Sequence, residues 1–247
     1  MTNLTRGDCD NLYKMLIGQQ GNTTEGHMAT LSIASAKGGC GKTTTAILLA
    51  AELALNHEYK VALLDSDVNQ HASAFGGKAI IKGLTIIPNV DEANVLSTLR
   101  KAEVENDVVI IDLPGGSSTL ALKAMQRSHF VLVPTQASLP DVRDAIKTTA
   151  QIDDAQELAR VPIARAILWT RILPGFESKS ARHVRTGLEG KGVDILSVAL
   201  MERAAYREIH ITGRVPSQDD PETAAAVNVR AIAKELLTHL EKLSEAA

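Results

Sequence analysis

Unbroken aliphatic runs bounded by charge recur along the chain, as in Lys60-Val-Ala-Leu-Leu-Asp65, Asp107-Val-Val-Ile-Ile-Asp112 and His129-Phe-Val-Leu-Val-Pro134. Runs of this length without polar alternation predict strands buried on both faces. Further strands are predicted at 30–36, 84–88, 164–171 and about 193–200. The stretches between them have helical spacing. One helix is expected from Lys42 to about Asn56, with Ile47, Leu48, Ala51, Leu53 and Leu55 forming a broad apolar surface. Others are expected at about 91–103, near 117–127, over about 140–159 after Pro140, and from about Pro221 onward. Strand followed by helix, repeated this often, predicts an α/β fold with a doubly wound, mostly parallel sheet flanked by helices.

Composition narrows this picture. With 247 residues, 45% of them apolar, the chain can bury a sizeable core as one domain, expected over residues 28–247. Aromatic residues make up only 3%, so Leu, Ile, Val and Ala must build the core. Residues 1–27 carry Asn, Thr, Gly and Gln with one short apolar cluster, Tyr13-Lys-Met-Leu-Ile17, and are expected to be an extension outside the fold. Gly26-His27-Met28 reads either as a cloning junction or as the start of the natural chain at Met28. The two cysteines, Cys9 and Cys40, support neither a disulfide framework nor a zinc site. No run of about 18 apolar residues occurs, so a soluble cytoplasmic protein without stable membrane insertion is expected. A net charge of −3 means that any nucleic-acid contact requires a local basic patch.

The candidate chemistry is concentrated at 37–45, Lys37-Gly38-Gly39-Cys40-Gly41-Lys42-Thr43-Thr44-Thr45, between a predicted strand and a predicted helix. The glycines let backbone N–H groups turn inward around a polyphosphate, and the helix start aims its positive end at the same anion. A Cβ would obstruct that approach. Lys42 supplies charge for the β- and γ-phosphates and Thr43 a hydroxyl for Mg²⁺, as in the Walker A pattern. Lys37 stands where that pattern has its first glycine. The loop therefore resembles the deviant Walker A box, Lys-Gly-Gly-x-Gly-Lys-Thr-Thr, of the ParA/MinD family of P-loop ATPases. The resemblance implies ATP and Mg²⁺ as cofactors, residues 38–44 on the nucleotide, and catalytic roles for Lys37 and Lys42. It also implies that Lys37 reaches across a homodimer interface to the partner's nucleotide.

Asp65-Ser-Asp67-Val-Asn69-Gln-His71 follows the second predicted strand, placing two carboxylates where an open parallel sheet binds ligands. It resembles the family's switch I, which implies that Asp67 orients the attacking water and that Asp65 and Asp67 support the metal site. Val68 and Asn69 stand where many partition ATPases have Pro-Gln, which weakens a polar role for Asn69. Asp112 at the tip of the run 107–112 reads as a Walker B carboxylate holding a water ligand of Mg²⁺, with Gly115-Gly116 as switch II. Thr170 replaces the Asn that the family usually places on adenine, while Arg171 remains available to pack on the ring. The loop 215–219, with Pro216 and Gln218, is expected on the adenine side. Trp169 reads as core.

Lys179, Arg182 and Arg185 share one helical face. They form either a solvated surface or a phosphate-backbone site, with Arg203 and Arg207 as further basic candidates. The Thr-Arg strand end, Glu202-Arg203-Ala-Ala-Tyr206-Arg207 and the late Gly213-x-x-Pro216 loosely resemble the VirC-type branch. That implies a slow, partner-stimulated ATPase, dimeric with ATP, binding DNA mainly without sequence preference. Its partner would be a ParB-like protein or a relaxosome or coupling protein.

A nitrogenase-type iron protein is excluded, because Cys9 precedes the core and Cys40 lies in the phosphate loop. A MinD-like ATPase that positions a complex at the membrane is the alternative. It requires a cationic amphipathic tail, and here Ile232, Leu236, Leu237, Leu240 and Leu243 do fall near helical spacing. Charges along this tail balance, however, and it lacks Phe and Trp, so packing on the sheet is expected.

Overall fold

β1 (Ala29–Ile33) ends after five residues, and Ala34 leads into the glycine loop. In the computed structural model, which describes residues 29–159, 162–174, 182, 188 and 193–246, six further strands join it. They are β2 (Val61–Asp65), β3 (Leu84–Ile87), β4 (Val108–Asp112), β5 (Phe130–Gln136), β6 (Ala164–Ile172) and β7 (Leu200–Met201). The order across the sheet is β3-β2-β4-β1-β5-β6-β7, and the pairings are all parallel. This is the fold class that the apolar runs imply.

The helices are α1 (Lys42–Asn56), α2 (His71–Gly76), α3 (Val95–Glu105), α4 (Thr119–Met125), α5 (Leu139–Leu158), α6 (Ala204–Thr212), α7 (Pro216–Asp219) and α8 (Ala224–Ala246). Leu31, Ile33, Leu63, Ile110 and Leu132 pack against α1, α2, α6 and α8. Neighbouring positions Leu64, Val109, Ile111, Val131 and Val133 point to the other face, against α3, α4 and α5. Both faces are thus dry, which is why the strands lack polar alternation. Trp169 lies in the second of these cores at 2% exposure. Trp169→Ala is expected to destabilise the protein by about 3–5 kcal/mol, read from urea unfolding monitored by circular dichroism.

Several boundaries differ from the expectation for identifiable reasons. Of the strand expected at about 193–200, one parallel bridge from Ile195 to Ile167 and β7 remain. The backbone N–H groups of Ser197 and Val198 donate to the Glu235 carboxylate on α8, at 2.6 and 2.9 Å, instead of extending a ladder. The last helix begins at Ala224 rather than Pro221, because the Thr223 hydroxyl accepts from Ala226 N and caps it. On that helix Ile232, Leu236, Leu237 and Leu240 are all buried against the sheet. These four positions of the apolar stripe are therefore part of the core, while the Leu243 side chain lies outside those described. Among the described residues no helix is long and apolar enough to cross a membrane.

The expected extension at 1–27 lies outside the described residues, as do Lys179 and Arg185. Arg182 is described and exposed.

Candidate active site

From β1 the chain runs outward to β2 and β3, returns to β4 beside β1, and then crosses to β5 on the other side of β1. The connections thus diverge at the carboxyl ends of β1, β4 and β5, the place where open α/β sheets bind ligands. The glycine loop occupies that point. Gly39 and Gly41 have φ of 80° and 95°, a region that side chains with a Cβ rarely adopt. A Cβ built at Gly38 or Gly39 meets no atom within 4 Å, so the space over the loop is an open cradle that side chains would fill.

α1 starts at this cradle with Gly41 as its N-cap, without a side-chain cap and with no acidic residue in its first turn. Its N–H groups are left to face an anion. Lys42 is buried at 6% exposure and its Nζ donates to the Lys37 carbonyl at 3.2 Å. The Lys37 side chain leaves the loop in another direction. Its Nζ donates to Asp141 Oδ1 at 3.0 Å, and the side chain is 44% exposed. The two lysines of the motif are thus separated by the fold, one in the cradle and one at its rim.

The loop is braced from distant segments. Thr170 Oγ1 donates to the Cys40 carbonyl at 2.9 Å, Gln136 Nε2 to the Gly39 carbonyl at 3.2 Å, and Ala36 N to Thr148 Oγ1 at 2.9 Å. Thr170, which the sequence set beside the base, is 1% exposed and serves the loop backbone. Its signal was a hydroxyl directly after the apolar run Ala166-Ile-Leu-Trp169. A Cβ at Gly115 would stand 3.1 Å from Gly38 N, so the expected switch II lies directly on the phosphate loop.

Asp65 and Asp112 are register partners on adjacent strands and both are fully buried. Their surroundings differ. Asp65 Oδ2 accepts from Ser73 N and Ser73 Oγ at 2.8 and 2.7 Å, and its Oδ1 accepts from Asp67 N at 3.2 Å. Asp65 thus ties the start of α2 through Oδ2 and the turn at Asp67 through Oδ1. Neither oxygen of Asp112 makes a hydrogen bond of ordinary geometry. Burial, only partly offset by the Thr43 hydroxyl, with Asp65, Lys42 and Asp67 as smaller influences, pushes its carboxyl up to about 7. A buried carboxylate without donors, facing a hydroxyl at a helix start, suits a hard divalent cation.

Asp67 lies on the turn after β2. Its Oδ1 accepts from Asn69 N and Asn69 Nδ2, both at 2.9 Å. Gln70 fixes the turn from below, donating to the Asp67 carbonyl and accepting from Asn89 N. On the other flank His210 Nε2 lies 3.4 Å from Thr44 Oγ1. Burial, with His71 and Lys78 nearby, holds the His210 imidazole below its ordinary pKa.

Arg171 lies at the exposed end of β6 with φ of 55°. Pro216 and Gln218 are not brought to the loop. Gln218 Nε2 donates to the Ile80 carbonyl and the adjoining Ser217 hydroxyl to Glu52. Glu52 is ten residues along α1 from Lys42, or about 15 Å at the helical rise, so Ser217 stands well away from the phosphate loop.

A parallel sheet with a glycine loop after its first strand, one loop lysine buried and a second at the rim, and a buried carboxylate without hydrogen-bond donors at the neighbouring strand tip is the arrangement of a P-loop ATPase of the ParA/MinD type. Residues 28–247 match the model of the family described as VirC1 protein. The chain belongs to that family. It is 29% identical over 224 residues to protein ParA of Rhizobium radiobacter, covering 89% of this chain and 99% of that protein. It is 30% identical over 186 residues to protein virC1 of Rhizobium radiobacter, covering 72% and 79%. Among solved structures, McdA from Cyanothece superposes with TM-scores of 0.73 for the apo form and 0.72 for an ATP complex. Both are 20% identical to this chain and cover 85% of it, matching 100% and 97% of the respective McdA chains.

Proposed function

We propose that the chain binds ATP with Mg²⁺, closes into a two-fold dimer in the ATP state, and as that dimer binds DNA with little sequence preference. The observation that carries this reading is the separation of the two lysines. Lys42 is buried in the cradle and serves the chain's own nucleotide, whereas Lys37 stands at the rim, where a second copy can be reached. Gly38 to Thr44 hold the phosphates. Thr43 and Asp112 hold Mg²⁺, which neutralises phosphate charge when bound. Asp67 orients the attacking water, and Arg171 packs on the base. Hydrolysis is slow until a ParB-like or relaxosome partner engages the dimer, and the cargo is a plasmid, a chromosome or a DNA-transfer complex. Residues 28–247 make up this ATPase, in keeping with the span of the family match, and 1–27 an extension.

Similarity to a chromosome-partitioning ATPase Soj of Thermus thermophilus and a chromosome partitioning protein ParA of Myxococcus xanthus supports a DNA-associated role. The MinD-like alternative is less well supported, because Ile232, Leu236, Leu237 and Leu240 of α8 are buried in the core and unavailable to a membrane.

Titration of labelled duplex DNA at several salt concentrations, with a slowly hydrolysed ATP analogue, tests the reading. Three cations per chain, doubled by dimerisation, contribute about 0.9 each, so a log–log salt slope of about −5 is expected. Arg182→Glu and Arg207→Glu are the variants to compare, since the Arg207 side chain is 72% exposed and has only Glu202 as an ion-pair partner among the described contacts. Absence of nucleotide-dependent DNA binding at low salt, with sedimentation on anionic liposomes, would overturn it in favour of membrane positioning.

A further inference from the structure

Thr44 is half-buried in the first turn of α1, and its N–H is among those that helical bonding leaves free, since the first intrahelical bond runs from Thr45 N to the Gly41 carbonyl at 2.9 Å. Facing its hydroxyl is His210 of α6, 166 positions later, whose Nε2 stands 3.4 Å from Thr44 Oγ1. The ring is held there from α2. Lys78, on the turn after that helix, donates from Nζ to the His210 carbonyl at 2.9 Å, and a Cβ at Gly213, the C-cap of α6, would meet Lys78 Cβ at 2.5 Å. The end of α6 is thus seated directly on that turn. His71, the first residue of α2, meets the His210 ring edge-on, with centroids 6.5 Å apart.

These neighbours share one sign. Among the described residues the charged groups that act on the imidazole are His71 and Lys78, while from α1 it meets the uncharged Thr44. Burial first, and then these two groups, hold its pKa below the ordinary value, so the ring is neutral beside a helix start that has no acidic residue. Such a cluster favours the arrival of an anion.

We propose that His210 is a nucleotide-binding residue whose imidazole closes the cradle at Thr44 and donates to a phosphate oxygen that ADP and ATP share. The inference rests on the reading of the loop as the ATP site. Successive side chains leave an α-helix about 100° apart. With Thr43 given to Mg²⁺ beside Asp112, Thr44 is turned away from the metal and from the γ-phosphate that such a metal bridges. Phosphate charge at the ring favours the imidazolium, so nucleotide binding takes up a proton there. That contribution is full below the pKa of the free ring and is lost as pH rises through the pKa of the nucleotide-bound ring.

His210→Gln, which keeps a polar group without the titration, and His210→Ala are each expected to bind ADP and ATP about three- to tenfold more weakly at pH 6, roughly the worth of one hydrogen bond. The factor should be the same for both nucleotides. Isothermal titration of the full chain with saturating Mg²⁺ measures it, and unchanged melting curves show that α6 stays seated. Repeating the titrations at pH 8 supplies a readout that a packing role would not move. The ratio of wild-type to His210→Gln affinity should shrink towards one, and the titration of Asp112, common to both proteins, cancels from it. A loss confined to ATP, a ratio that does not change with pH, or undiminished affinity in both variants would overturn the proposal. Lys42→Ala separates it from the reading beneath it. If that variant keeps its affinity, the nucleotide site itself is misplaced, whereas lost binding in Lys42→Ala beside unaltered His210 variants removes the His210 role alone.

Discussion

Lys42→Ala is expected to lose ATP binding, by about 2–5 kcal/mol or some thirtyfold to several thousandfold in affinity, because it truncates one side of a buried, hydrogen-bonded charge pair. The lysine is the cation that the fold places inside the cradle, at 6% exposure, with its ammonium already turned to the loop carbonyl of Lys37. In the variant the anion would meet backbone N–H groups and the end of α1 alone, interactions that in isolation are much weaker than a buried ammonium. Isothermal titration with ATP and Mg²⁺ reads the loss, and an unchanged melting curve shows that the fold is intact. Undiminished affinity would place the nucleotide elsewhere.

Asp67→Ala is expected to keep ATP binding and the dimer while hydrolysis falls by about 10²–10⁴-fold, the usual contribution of a group that handles the proton of an attacking water. The neighbouring acids make this specific. Asp65 is occupied by Ser73 and Asp67 N, and Asp112 is sealed at the strand tip. Asp67 instead sits on a half-exposed turn, held by Asn69, where its loss removes no core contact. Phosphate release and sedimentation on the same sample report both halves of the prediction. Hydrolysis at the wild-type rate would move the water-orienting role to another group. Asp65 would then have to give up its hold on α2 to take it.

Much of this site is legible along the chain because its chemistry is contiguous. A loop that wraps a phosphate needs its glycines, lysine and hydroxyl within one turn, so residues 37–44 declare themselves. A carboxylate delivered to the sheet edge needs only an apolar run before it, so Asp112 follows from the run 107–112. The same locality explains the strands and long helices, whose spacing reflects burial on two dry faces. The short helices α2 and α6 were not anticipated, since six and nine residues carry too few turns to show a period. The end of the strand expected at 193–200 went to Glu235, a partner some forty residues later that no local pattern announces.

What the tertiary structure alone decided are the choices made between distant segments. Residues 37 and 141, or 40 and 170, become neighbours only when β1, β5 and β6 lie side by side and α5 returns over the sheet. Nothing in the spacing around Asp141 distinguishes it from an ordinary acid at a helix start. Likewise Pro216 and Gln218 read as a polar loop beside the base, whereas the path of α6 and α7 carries Gln218 to the Ile80 carbonyl and Ser217 to Glu52. Side-chain periodicity specifies which face of an element is buried. Which other element it meets there, and therefore which charge finds which partner, is set by the order of the strands and the crossings between them.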